Sequence, residues 1–152
     1  MTPSAGPPLD TIEIETLAIR ANLGPLLDGA VEAGVRAGLA ADDATDLRLA
    51  VEEACRNVID HGYPPGQPGP VRLSIAMHAD RIVVEIVDRA RPFDPGDAPS
   101  PDLTRDWRQR RIGGLGWHLI RRVMDAVSHD TPPGGGNRLT LVKRLHAPNR
   151  IV

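Results

Sequence analysis

At 152 residues, with 41% hydrophobic and 25% charged residues, the chain has the size and composition of one globular domain with its own core. A formal net charge of −2 gives no electrostatic case for nucleic acid, and two Trp, one Tyr and one Phe are too few for a base-stacking surface. The lone Cys55 excludes an intramolecular disulfide, and MTPSAGPPLD is not a signal peptide, so a soluble cytoplasmic protein with no membrane span is expected.

TIEIETLAI (11–19) alternates apolar and polar residues and predicts a half-buried strand. Asn22 can cap a first helix from about Leu23 to Leu39, with Leu26, Leu27, Ala30, Val31 and Val35 as its apolar positions. Asp42 or Asp43 then caps a second helix, whose apolar arc is Leu47, Ala50, Val51, Ala54 and Val58. PPGQPGP (64–70) is a turn, and VRLSIAMHA (71–79) with RIVVEIVD (81–88) forms a hairpin joined near Asp80. Residues 89–112, rich in Pro, Arg and Asp, form a long loop of the functional kind. GGLGWHLIRRVMDAV (113–127) restarts a helix, and a short segment around 128–133, a PPGGG turn and the strand NRLTLVKRL (137–145) follow. This order predicts an α+β, two-layer sandwich, with helices on one face of a mixed, mostly antiparallel sheet.

Three stretches carry possible chemistry. In VEEACRNVIDHGY (51–63), with about 100° per residue, Asn57 falls roughly 40° from Glu53. Both then border the buried arc, while Glu52 and Arg56 point outward. Such a carboxylate and carboxamide can share a hard cation or its water shell, or simply be solvated. His61 lies near the same line and reads as a packing or hydrogen-bonding residue. In VEIVDRARPFDP (84–95), Asp88 ends an apolar strand, where it can accept from an exocyclic amine or serve an ordinary turn. In RIGGLGWHLIRR (111–122), Gly113, Gly114 and Gly116 open a helix whose unpaired N–H groups suit phosphate, with Arg110 and Arg111 upstream; a tight loop is the alternative.

The order and spacing of these motifs resemble the Bergerat-fold (GHKL) ATPases. The wording of AVEEACRNVIDHGY, DRARPFDP, GGLGWHLIRRVMD and TLVKRL is similar to the anti-sigma factor serine-protein kinases of the RsbW and SpoIIAB type. The resemblance covers about residues 10–146. It implies a flexible N-terminus over 1–9, a histidine-kinase-like ATP-binding domain over 10–146 with an ATP lid at 89–112, and a tail over 147–152.

By this resemblance the cofactors are ATP and Mg²⁺. Asn57 holds the metal, and Glu53 is the catalytic base or orienting carboxylate for an attacking serine hydroxyl. Asp88 takes the adenine amine, and Arg111, Gly113, Gly114 and Gly116 attend phosphate. Two positions depart from the family pattern. Ala90 stands where a glycine is expected, and Asn137 where a threonine is, with Thr140 nearby as a further adenine contact. The implied function is a protein serine/threonine kinase that phosphorylates a STAS-type anti-anti-sigma protein, sequesters a sigma factor and forms a homodimer. The alternative is an ATP-binding regulatory module that transfers no phosphate. Trp117 is expected to pack against the lid or sheet.

Overall fold

The computed structural model describes residues 6–92 and 114–146. Five strands form one sheet: β1 (Asp10–Leu17), β2 (Pro70–Met77), β3 (Arg81–Asp88), β4 (Ala126–Asp130) and β5 (Asn137–Arg144). Their spatial order is β1-β2-β3-β5-β4, and among the described residues every pairing is antiparallel rather than mixed. Three helices, α1 (Leu23–Ala37), α2 (Ala41–Asn57) and α3 (Gly114–Val123), make the second layer.

Period-two alternation decides which side of each strand is dry. Val71, Leu73, Ile75, Ile82, Val84, Ile86 and Leu141 face the helices and are buried. Each such side chain removed from water contributes roughly 1.5–3 kcal/mol. The helices answer with Leu26, Ala30, Leu47, Ala50, Val51, Ala54 and Ile120 in one continuous core. The other sheet face carries Arg72, Ser74, Glu85, Arg138 and Thr140, none of them buried.

Helix boundaries depart from the sequence expectation in three places. Asn22 does not cap α1 through its side chain; its Nδ2 donates to Leu17 O (3.0 Å) and ties off β1 instead. Neither Asp42 nor Asp43 caps α2, because the backbone turns at Ala40 and puts both within the first turn, where their charge suits the helix dipole. Helix α3 stops at Val123, and residues 126–127 of the expected helix join 128–130 to form β4 along β5. Helix α1 ends at Ala37, with the left-handed Gly38 (φ 73°) and Leu39 returning their N–H groups to Val35 O and Gly34 O.

Lys143 fastens one end of the helical layer. Buried on the helix side of β5, its Nζ donates to Val123 O at the end of α3 (2.7 Å) and to Asp46 Oδ2 in α2 (3.3 Å). Because β3 and β5 run antiparallel, the opposite end of that row pairs Asp88 with Asn137. Helix α2 runs from the Lys143 end toward that pair.

Candidate functional site

The polar edge of α2 is real. Glu53 and Asn57 are both partly buried, and among the described residues no hydrogen bond or ion pair engages either side chain. Neighbouring Glu52, by contrast, is held by Arg48 (3.4 Å) and Arg56 (3.2 Å), each one helical turn away. The first turn of α3 lies directly against this edge. A Cβ built on Gly116 would stand 2.8 Å from Glu53 Oε2 and 3.9 Å from Asn57 Nδ2. The glycine therefore brings a helix N-terminus, a carboxylate and a carboxamide to one place. Arg111 and Gly113 lie outside the described residues; Gly114 is the first residue of α3.

Beyond Asn57 the helix widens into a π turn, Val58–Gly62. Such turns recur at functional sites because they re-aim the residues after them. The wheel drawn at α-helical pitch does not hold past Asn57. His61 is exposed, and Asp60 pairs with Arg20 at 3.2 Å. Gly62 packs on Ala90, with a built Cβ 3.3 Å from the Ala90 Cβ, so the end of α2 reaches the segment after β3. Tyr63 completes the join: its hydroxyl donates to Pro70 O (2.5 Å) and accepts from Arg89 N–H (2.8 Å). Burial pushes the Tyr63 phenol above its usual range, and Asp88 adds to the rise.

Asp88 ends β3 with only 5% of its surface exposed. Its Oδ1 accepts from Ala90 N–H (2.8 Å) and from Asn137 Nδ2 (3.0 Å), while among the described residues no donor reaches Oδ2. The turn expected of an Asp here and a cleft carboxylate are thus the same residue, one oxygen for each. Asn137 also donates to Arg91 O (3.0 Å), and its Oδ1 meets His129 Nε2 at 2.9 Å. Asn137 comes this close because Gly136, at φ 87°, passes under the backbone of Asp88. A Cβ there would fall 2.1 Å from Asp88 O, so no other residue fits.

Thr140 is a correction. It pairs with Glu85 and Ser128 on the face away from the helices, one step out of phase with Asn137, so it does not share the cleft with Asp88. Trp117 packs in the core, with Arg121 5.8 Å above its ring, and its Nε1 is buried without a partner among the described residues. Sequence reasoning did not single out His129, Gly136 or the Tyr63 hydroxyl. For Gly136 the PPGGG turn was the available signal. For His129 there was none, since its contact depends on the β4–β5 register.

The Asp88 carboxylate, a carboxylate–carboxamide pair without a partner among the described residues and the first turn of α3 lie along one helix and its neighbours. The family description that matches residues 18–143 is the histidine kinase-like ATPase domain. The serine-protein kinase RsbW of Halalkalibacterium halodurans is 33% identical over 128 residues, 76% of this chain and 74% of the relative. The serine/threonine-protein kinase BtrW of Bordetella bronchiseptica is 34% identical over 95 residues, 62% of this chain and 66% of the relative. An anti-sigma F factor of Clostridium beijerinckii is 28% identical over 112 residues, 69% of this chain and 73% of the relative. A crystal structure of the RsbU and RsbW domains of a Mycobacterium tuberculosis protein superposes with a TM-score of 0.63 at 16% identity. It covers 91% of this chain and 32% of the solved one, and supports the fold. The chain belongs to the histidine kinase-like ATPase family, in its branch of RsbW-type and anti-sigma F serine-protein kinases. It spans just under two thirds of BtrW. Among the described residues no helix is long and apolar enough to cross a membrane.

Proposed function

We propose that this protein is a cytoplasmic serine/threonine kinase that moves the γ-phosphoryl group of ATP onto a serine of a STAS-type anti-anti-sigma protein. Working as a homodimer, it holds a sigma factor as the competing partner. The single observation that supports the reading is the contact of Gly116 with Glu53 and Asn57, which sets a carboxylate with no partner among the described residues against the first turn of α3.

ATP supplies the phosphoryl group, and Mg²⁺ neutralises charge on its phosphates. Asn57 is the residue that would hold the metal, since a carboxamide oxygen is a suitable hard donor. The backbone N–H groups at Gly114 and Gly116 suit phosphate oxygens. Asp88, through Oδ2, accepts from the exocyclic amine of adenine. Glu53 orients the acceptor hydroxyl and takes its proton as the oxygen attacks the γ-phosphorus and ADP departs with the bridging oxygen. Phosphoryl transfer asks the protein chiefly for positioning and charge neutralisation, and these residues supply both. The departures from the family pattern are compatible with this. Asn137 delivers its donor to Asp88, and Ala90 supplies a backbone N–H to the same oxygen.

Incubation with γ-labelled ATP, Mg²⁺ and STAS proteins of the same genome tests the proposal. Label should reach a STAS serine and vanish with Glu53→Ala. Tight ATP binding without transfer to any of them would instead make the protein a nucleotide-responsive binding module.

A further inference from the structure

The buried carboxamide of Asn137 has a defined orientation. Its Nδ2 faces two groups that can only accept, Asp88 Oδ1 (3.0 Å) and Arg91 O (3.0 Å). The amide nitrogen must therefore be on that side, and the oxygen faces His129 Nε2 at 2.9 Å. An oxygen acceptor there requires His129 to donate from Nε2, so the imidazole carries its proton on that nitrogen. His129 sits in β4 opposite Leu139, on the helix side of the sheet with Val127, and is partly shielded from water.

The bonds thus run one way, from His129 through Asn137 to Asp88. Two donors, from Asn137 and Ala90, end on Asp88 Oδ1, and among the described residues none reaches Oδ2. An ionised carboxylate accepts and cannot donate, so Oδ2 welcomes an amine and repels a carbonyl oxygen. Adenine presents an amine at the ring position where guanine presents an oxygen.

We propose that His129 is a positioning residue for base selection. By donating to Asn137 it fixes the carboxamide that keeps Asp88 an acceptor, and so favours 6-amino over 6-oxo purine nucleotides. This rests on the proposal that Asp88 meets the base. It adds a residue outside the three motifs, one whose Nε2 meets the oxygen of the Asn137 carboxamide.

The test is calorimetric binding of Mg²⁺–ATP and Mg²⁺–GTP to the full chain and three variants. His129→Leu has no donor, His129→Glu only accepts at neutral pH, and His129→Gln keeps an amide N–H. With the first two, ATP affinity should fall about 3- to 10-fold, and the preference for ATP over GTP should narrow by a similar factor. His129→Gln should stay within about twofold of the parent on both measures. General loosening of the fold lowers both affinities together, so the ratio is the deciding readout, and thermal melts report which variants fold. An unchanged ATP-to-GTP ratio in His129→Leu or His129→Glu overturns the proposal, as does a His129→Gln protein no better than they are. A parent protein that binds neither nucleotide would bring down the ATP reading itself, and this inference with it.

Discussion

Gly116 and Glu53 touch without room for a side chain between them: a Cβ on the glycine would lie 2.8 Å from Glu53 Oε2. The group it meets is the tip of a flexible side chain, so Gly116→Ala can fold by displacing the carboxylate. Helix propensity favours alanine by up to about 1 kcal/mol, which offsets the local crowding. We expect a melting temperature close to the parent's and phosphoryl transfer reduced at least about tenfold, since a displaced base loses its alignment. Full transfer in this variant would mean that the placement of Glu53 against α3 is immaterial.

Tyr63 predicts a coupled loss. Its hydroxyl bridges Pro70 O and Arg89 N–H, joining the end of the π turn to the residue after Asp88. Tyr63→Phe keeps the ring and leaves both backbone groups short of a partner, at a cost of about 1–2 kcal/mol in urea unfolding. ATP affinity should fall with it, because Arg89 is the next link to the carboxylate. If stability drops while nucleotide affinity is untouched, the bridge serves only the fold.

Much of this architecture was legible because the strands are strictly alternating. Val71, Leu73 and Ile75 against Arg72, Ser74 and Ala76 admit one dry side only. The polar edge of α2 was legible for a related reason, since Glu53 and Asn57 share a face at helical pitch. Past Asn57 the π turn changes that pitch, which is why His61 ends up exposed rather than beside them. The end of α3 was not legible because Met124–Val127 fits both periods, and only pairing with β5 makes its last residues a strand. Thr140 is different. Counting by two from Asn137 already places it on the far face, so the strand's own period argues against the adenine contact the family pattern suggested. His129 could not be found from sequence, because a cross-strand partner exists only once the register is set.

Lys143 separates stability from chemistry. It lies at the end of the helical layer away from Asp88, with Asp46 Oδ2 at 3.3 Å, Asp43 Oδ1 at 3.6 Å and Val123 O at 2.7 Å. Lys143→Met preserves the stem and removes the ammonium, leaving two carboxylates and a helix-end carbonyl without it. Both carboxylates keep some solvent contact, so the loss should be about 1–3 kcal/mol, below that for a fully buried pair. Below the melting transition, ATP affinity should change less than in Tyr63→Phe. The reverse order would place the coupling between the ends of α2 and α3 in Lys143.

Cys55 sets the alkaline limit. It is wholly buried in α2, and burial alone pushes its thiol from an ordinary 9.0 up to about 12. Between those values the unfolded chain has released a proton that the folded chain retains. The proton-bound excess then lies with the native state, so stability falls as pH rises, by at most about 1.4 kcal/mol per pH unit from this one group. Tyr63, raised by burial, adds a decline of the same sign above the ordinary tyrosine range of about 10. Cys55→Val fills a similar volume and cannot ionise. Urea unfolding at pH values of about 8, 9.5 and 11 should show the parent losing stability faster than the variant, with a constant difference between them below about pH 8.5. A thiol reagent should likewise react only at the rate at which the parent opens. Equal pH slopes for parent and variant would show that the thiol reaches water in the native state, contrary to its place in the core.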